Sequence, residues 1–228
     1  MRIATWNVNS LNARTERVDE WLDYACPDVL LLQETKMSDE QFPHEHYSRQ
    51  GYESVHCGEG RWNGVAILSR VGIEDPFMGF ADGEDADPEA RMISGTCGGV
   101  RVSSVYVPNG RAVDHDHYQY KLRWLSRLRK HLDMSCDPDG WVLVGGDYNI
   151  CPDHRDVWDP TNPAPRTHVT SKERAALAEL VDWGLVDVFR TFYEDDGLYS
   201  WWDYRDGAFH KKMGLRIDLL MASRALAE

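Results

Sequence analysis

A chain of 228 residues with 42% hydrophobic and 28% charged residues carries enough apolar surface for a packed core, which excludes wholesale disorder and fits a single domain spanning 1–228. No stretch approaches the roughly 18 apolar residues of a membrane span, and the start MRIATWNVNS lacks the basic region and apolar run of an export signal; a soluble, cytoplasmic protein with no membrane partner is expected. The formal charge of −13 argues against phosphate-rich partners unless positive charge is gathered locally.

Residues 2–8, RIATWNV, alternate apolar and polar side chains and predict a first strand with one buried face. Asn12 is placed to cap the following helix, whose Val18, Trp21, Leu22 and Ala25 form one stripe until Pro27 stops it. Residues 28–34, DVLLLQE, are almost continuously apolar, as in a central strand covered on both faces. Strand, helix, strand in this order points to an α/β fold. Residues 52–57 and 64–69 predict two further strands, and 92–97 with 100–107 a hairpin turning at Gly98-Gly99. Such frequent strand-to-strand connections suit a sandwich of mixed sheets with outer helices better than a doubly wound sheet.

A helix is predicted over 117–132, with Tyr118, Leu122, Leu125, Leu128 and Leu132 facing inward, followed by a strand at 141–147. Thr170 and Glu173 form a capping box for a helix that turns Leu177, Leu180 and Val181 inward and ends at Gly184. Short strands are predicted at 185–188, 199–204 and 215–221. Seven acids between Glu74 and Glu89 read as an exposed loop, while Arg123, Arg127, Arg129 and Lys130, and again Arg205, Lys211, Lys212 and Arg216, are candidate phosphate contacts set against the plain reading of solvated faces. The five cysteines are far apart and read as free thiols. The histidines carry no catalytic pattern, and His168 reads as a turn residue before a helix.

Several strands finish with polar residues of convergent chemistry: Asn7 in TWNVN, Glu34 in LLLQET, Asp147 and Asn149 in GGDYN, and Asp218 in LRIDLLMAS. A carboxylate at the end of a buried strand is costly unless paired or metal-bound, so repeated acids at such positions point to a shared site. Oxygen donors of this kind suit magnesium, which takes one or two carboxylates together with substrate phosphate.

The motifs WNVN (6–9), LLLQETK (30–36), NGVAILS (63–69), VYVPNG (105–110), GGDYNI (145–150), GLVDVFR (184–190), SWWDYR (200–205) and GLRIDLLMAS (214–223) follow one another in the order of a known family. The chain resembles the exonuclease III-type abasic-site endonucleases. The resemblance implies a four-layer αββα sandwich of two mixed sheets, DNase I-like. It implies a magnesium-dependent phosphodiesterase, with manganese as an alternative ion, acting on double-stranded DNA at abasic sites and 3′ ends. By the same resemblance Glu34 and Asn7 serve the metal, Tyr106 reaches the scissile phosphate, and Asp147 and Asn149 bind and orient the attacking water or the phosphate. Asp147 is the candidate general base, Asp218 organises the polar network, Arg91 approaches the DNA and Trp201 packs against the abasic sugar.

Members of that family continue beyond the strand matching 216–222 into a last strand led by a Ser-Asp-His motif, and nothing here matches it. A C-terminally incomplete chain missing its last strand is the expectation, monomeric when complete. The alternatives are a partner that repairs the sheet edge, a catalytically impaired DNA-binding fragment, or a hydrolase of the same fold acting on another phosphodiester.

Overall fold

The computed structural model describes residues 1–162 and 166–228. Two mixed sheets stack face to face. The smaller contains β1 (Ile3–Asn7), β2 (Val29–Gln33), β3 (Glu53–Cys57) and β4 (Val65–Ser69) in the order β1-β2-β4-β3. The larger contains β5 (Glu74–Met78), β6 (Met92–Cys97), β7 (Val100–Tyr106), β8 (Val142–Asp147), β9 (Leu185–Asp187) and β12 (Asp218–Ser223) in the order β5-β6-β7-β8-β12-β9. β10 (Trp201–Trp202) and β11 (Gly214–Leu215) form a separate two-stranded ribbon. The pairs β1–β2 and β7–β8 are parallel and the other pairs antiparallel.

Strand periodicity assigns each apolar side chain to a layer. In β2, Val29 and Leu31 turn toward the larger sheet and pack with Ile67, Ile93, Val102 and Leu143. Leu30 and Leu32 turn the other way, onto Val18 and Leu22 of α1 (Thr15–Ala25) and Tyr47 of α2 (His44–Arg49). Across the larger sheet, Val105, Val144 and Leu219 meet Trp124, Leu125 and Leu128 of α3 (Asp116–Ser135) and Leu177 and Leu180 of α4 (Ser171–Trp183). Helix, sheet, sheet, helix is the four-layer order expected from the sequence. Two short helices, α5 (Val188–Phe192) and α6 (Arg224–Ala227), flank β9 and follow β12.

Several predicted details are corrected. α1 starts three residues after Asn12, with Arg14 at its N-cap and no side-chain cap bond. Val181 is 40% exposed, and Trp183 takes the inward place on α4. The predicted strand at 199–204 shrinks to two residues, because the Tyr204–Arg205 end is solvent-exposed and leaves the ribbon. The capping box and the Gly98-Gly99 hairpin are found as predicted, and all five cysteines are free.

Of the candidate basic residues, Arg216 is buried and Arg127 half-buried, both in ion pairs, while Arg123, Lys130, Arg205, Lys211 and Lys212 are exposed. Arg127 grips Asp82, whose side chain has no exposure, at 2.6 and 3.1 Å, and also reaches the Asp85 carbonyl at 2.7 Å. Lys130 meets Glu84 at 3.1 Å and Tyr120 donates to Asp87 at 2.6 Å, so the acidic loop is clasped against α3. Arg216 is 3% exposed and bridges Asp156 at 2.6 Å and Asp187 at 2.7 Å, while Arg190 reaches the same Asp156 at 2.5 Å. Arg190 and Arg216 fix the approach to β12, and like Arg127 they are engaged by carboxylates of the chain itself.

Removing one partner of such a buried network leaves uncompensated charge. Arg216→Met is expected to lower unfolding free energy by about 3–5 kcal/mol, read from urea denaturation; an unchanged midpoint would show that the Asp156–Arg216–Asp187 bridge contributes nothing.

Candidate active site

The C-terminal ends of β1, β2, β7 and β8 and the start of β12 open into one pocket of about 340 Å³. Register explains the convergence. Tyr106 lies opposite Asp147 across β7–β8, and Asp147 lies opposite Asp218 across β8–β12. Gly146 makes the first of these pairings possible: a Cβ there would sit 1.9 Å from the Val105 carbonyl oxygen. Only glycine lets β8 pass so close to β7 and deliver Asp147 beside Tyr106.

The two sheets meet at Asn7. Its amide donates to Glu34 Oε1 at 2.7 Å and to Asp147 Oδ2 at 2.9 Å, and its Oδ1 accepts from the Asn9 N–H at 3.0 Å. Glu34 Oε2 pairs with Lys36 at 2.9 Å. Glu34 and Asn149 hold left-handed backbone conformations, with φ of 54° and 51°. Side chains other than glycine adopt these at a cost that surrounding contacts must over-determine. For Glu34 the contacts are backbone bonds from Ser10 to its carbonyl and from Thr35 and Lys36 to Gly64 and Asn63. Behind them, buried Thr35 Oγ1 lies 2.8 Å from His56 Nε2, and His56 Nδ1 lies 2.8 Å from Asp39. Burial pushes the His56 imidazole down to about 4, so it braces this loop as a neutral ring.

Too few cations face these acids. Burial, then the neighbouring Asp218 charge, holds the Asp147 carboxyl well above its usual range, against the Asn7 amide and the Asn149 N–H that favour ionisation. Burial and the Glu34 charge push Asp218 up to about 6, although Ser200 opposes the shift. Asp218 Oδ1 is buried without a hydrogen-bond partner. Tyr106 is likewise raised, by burial and by the Glu34 and Asp147 charges, and stays a neutral hydroxyl donor. Among the described residues no cluster of three or more His, Cys, Asp or Glu side chains has metal-ligand geometry. Magnesium does not need one: one or two carboxylates plus waters and phosphate suffice. Clustered carboxyls whose ionisation is resisted by burial and by one another's charge, with one oxygen orphaned, are a donor set that a divalent cation fits.

Seven of the eight site residues expected from sequence line this pocket: Asn7, Glu34, Tyr106, Asp147, Asn149, Trp201 and Asp218. Arg91 does not. It lies 6% exposed in an adjoining pocket, its guanidinium 4.5 Å over the Tyr106 ring and donating to the Tyr106 carbonyl at 3.1 Å, so it backs Tyr106. The pocket also contains residues that sequence reasoning missed, among them Asn109, His168, Ser200 and Tyr204. Asn109 had a visible signal in VYVPNG; His168 had none beyond a polar residue before a helix.

Comparison with known proteins places these residues in context. The sequence profile described as the Endonuclease/Exonuclease/phosphatase family matches residues 4–228. Exodeoxyribonuclease III of Haemophilus influenzae is 33% identical over 100% of this chain and 90% of that protein. The structure of an AP endonuclease from Archaeoglobus fulgidus superposes with a TM-score of 0.94 at 36% identity, covering 100% of this chain and 88% of that one. The 3′-5′ exonuclease NExo of Neisseria meningitidis gives 0.94 at 38% identity, with the same coverage.

The raised carboxyls have a pH consequence. Unfolded, these acids ionise near about 4; folded, they keep the proton until about 6 in the case of Asp218. The folded state therefore holds more protons across that window, and their contribution to stability falls as pH rises through it. A divalent ion held by the ionised form would offset the loss. Magnesium is expected to raise the melting temperature markedly at pH 8 and little at pH 5, with the difference reduced in Asp218→Asn. Equal shifts at both pH values would contradict this electrostatic account.

Proposed function

Because the chain belongs to the Endonuclease/Exonuclease/phosphatase family, we propose that it is a magnesium-dependent DNA phosphodiesterase of the exonuclease III type, cleaving 5′ to abasic sites and trimming 3′ ends of duplex DNA in base excision repair. The observation that carries this reading is the Asn7 amide, which holds Glu34 and Asp147 from two different sheets within 2.9 Å of one nitrogen. Carboxylates brought together in this way suit a single hydrated ion and a phosphate.

Glu34 and Asn7 would hold the ion, and Asp218 would organise the acids around it. A bound magnesium would supply charge neutralisation and a more acidic water. Asp147 is the general base: it stands at the pocket floor, and its affinity for protons, raised by burial, suits it to accept one from water attacking phosphorus in line. Tyr106 and Asn149 donate hydrogen bonds to phosphoryl oxygens as charge develops there. No covalent enzyme intermediate is required. Trp201, 38% exposed on the pocket wall, offers a face to a sugar that lacks its base.

The relatives' descriptions as exodeoxyribonuclease III, AP endonuclease and 3′-5′ exonuclease support DNA as the substrate over a lipid phosphodiester. The test is hydrolysis of an abasic-site duplex, an undamaged duplex with a recessed 3′ end and a lipid phosphodiester, each with magnesium and with chelator. Metal-dependent cleavage of the two DNAs is expected, and Asp147→Asn should lower kcat by about 10²–10⁴-fold. Tight binding of abasic DNA without turnover would favour a non-catalytic binding module. Hydrolysis of the lipid alone would point to another branch of the fold.

A further inference from the structure

The proposed chemistry needs an Asn149 amide hydrogen directed at the substrate, and the bonds around that side chain decide where it points. Asn149 Oδ1 accepts from Asn109 Nδ2 at 3.0 Å and lies 3.1 Å from His168 Nε2. Asn149 Nδ2 donates to the Val107 carbonyl at 3.0 Å. His168 Nε2 also lies 3.1 Å from Asn109 Nδ2, and its Nδ1 lies 3.1 Å from the Thr167 hydroxyl, so Asn109, Asn149 and His168 form one polar cluster. Asn149 Oδ1 is engaged within that cluster, and one Nδ2 hydrogen is used on Val107. The remaining amide hydrogen is left for whatever occupies the pocket.

Behind this amide lies an ion pair with no solvent exposure on either side chain. Lys121 Nζ meets Glu173 Oε1 at 2.5 Å and donates to the Asn149 carbonyl at 2.7 Å. The same Glu173 oxygen accepts the His168 N–H at 2.9 Å, and the other accepts from Thr170. His168 sits at a φ of 83°, strained for a residue with a side chain, held by Glu173 on its N–H and by the Cys151 N–H on its carbonyl at 2.7 Å. Burying an ion pair seldom adds net stability over apolar residues of the same size. Its contacts are better explained by what they orient.

We propose that the buried Lys121–Glu173 pair is the positioning element for the phosphate side of the pocket, acting through the Asn149 carbonyl and the His168 backbone to fix the Asn149 amide. Lys121, Glu173 and His168 are positioning residues. The phosphate is taken from the phosphodiesterase reading; the geometry is independent of it.

Two variants test the assignment. Lys121→Met with Glu173→Met replaces the pair by apolar volume, and His168→Gly removes the ring and the backbone strain together. Two readouts are followed: the Asn149 side-chain amide signals in the nitrogen-15 spectrum, assigned by their loss in Asn149→Asp, and steady-state kinetics on an abasic duplex. In both variants the amide signals should move, and kcat should fall about 10- to 100-fold with KM unchanged. A role confined to anchoring α4 would lower the melting temperature and leave both readouts alone. Folded variants with wild-type amide signals and kcat would overturn the proposal. If the double variant does not fold, His168→Gly decides. If the wild type cleaves no DNA, the phosphodiesterase reading falls and the amide signals alone judge the positioning.

Discussion

The Asn7 carboxamide gives one hydrogen to a carboxylate on its own sheet and the other to a carboxylate on the facing sheet. Like charges in a poorly solvated pocket repel strongly, and a neutral double donor between them is the least costly way to hold both in place. The rest of the architecture serves that meeting. Gly146 draws β8 against β7, the buried Thr35–His56 contact braces the turn that carries Glu34, and Arg216 fixes the approach to β12. The site is accordingly a property of how the two sheets dock, since neither sheet alone presents both carboxylates.

The sequence already carried much of this. Alternation and apolar runs located β1, β2, β4, β6, β7 and β8 within a residue or two, because β2, β4 and β8 are buried on both faces and read as continuous apolar runs. The acids at the strand ends were legible for a related reason: a carboxylate finishing an apolar run stands out against its surroundings. β5 and α2 were missed. β5 reads EDPFM, is exposed at every residue and contains a proline; α2 is a single polar turn or two buried only at Tyr47.

What stayed hidden was pairing over distance. Lys121 sits among the leucines of α3 and looks in sequence like a solvated charge. Glu173 looks like a capping residue and nothing more. Their partnership spans 52 positions and exists only once α3 and α4 pack together. The same holds for Arg127 and Arg216, whose positive charge suggested an external surface until their buried carboxylate partners came into view. Charge counted along a chain thus overstates what is free to meet a ligand. Of the basic residues near the pocket, Arg111 lines the hollow beside Tyr106 and has no ion-pair partner among the described residues, which makes it a better measure of the local field than the clusters do.

The clasp of the 82–87 segment on α3 bears on how the molecule is degraded. Composition marks that stretch, with four acids in six residues, as an open tether inviting to an endoprotease. Asp82 buried under Arg127, with Tyr120 and Lys130 gripping further along, ties the stretch to α3 while 83–86 stay exposed, so seating an extended run of its backbone in a protease requires the segment to lift from the helix. Nicking there is then governed by the frequency of a local opening event, and its rate becomes a clock for that motion.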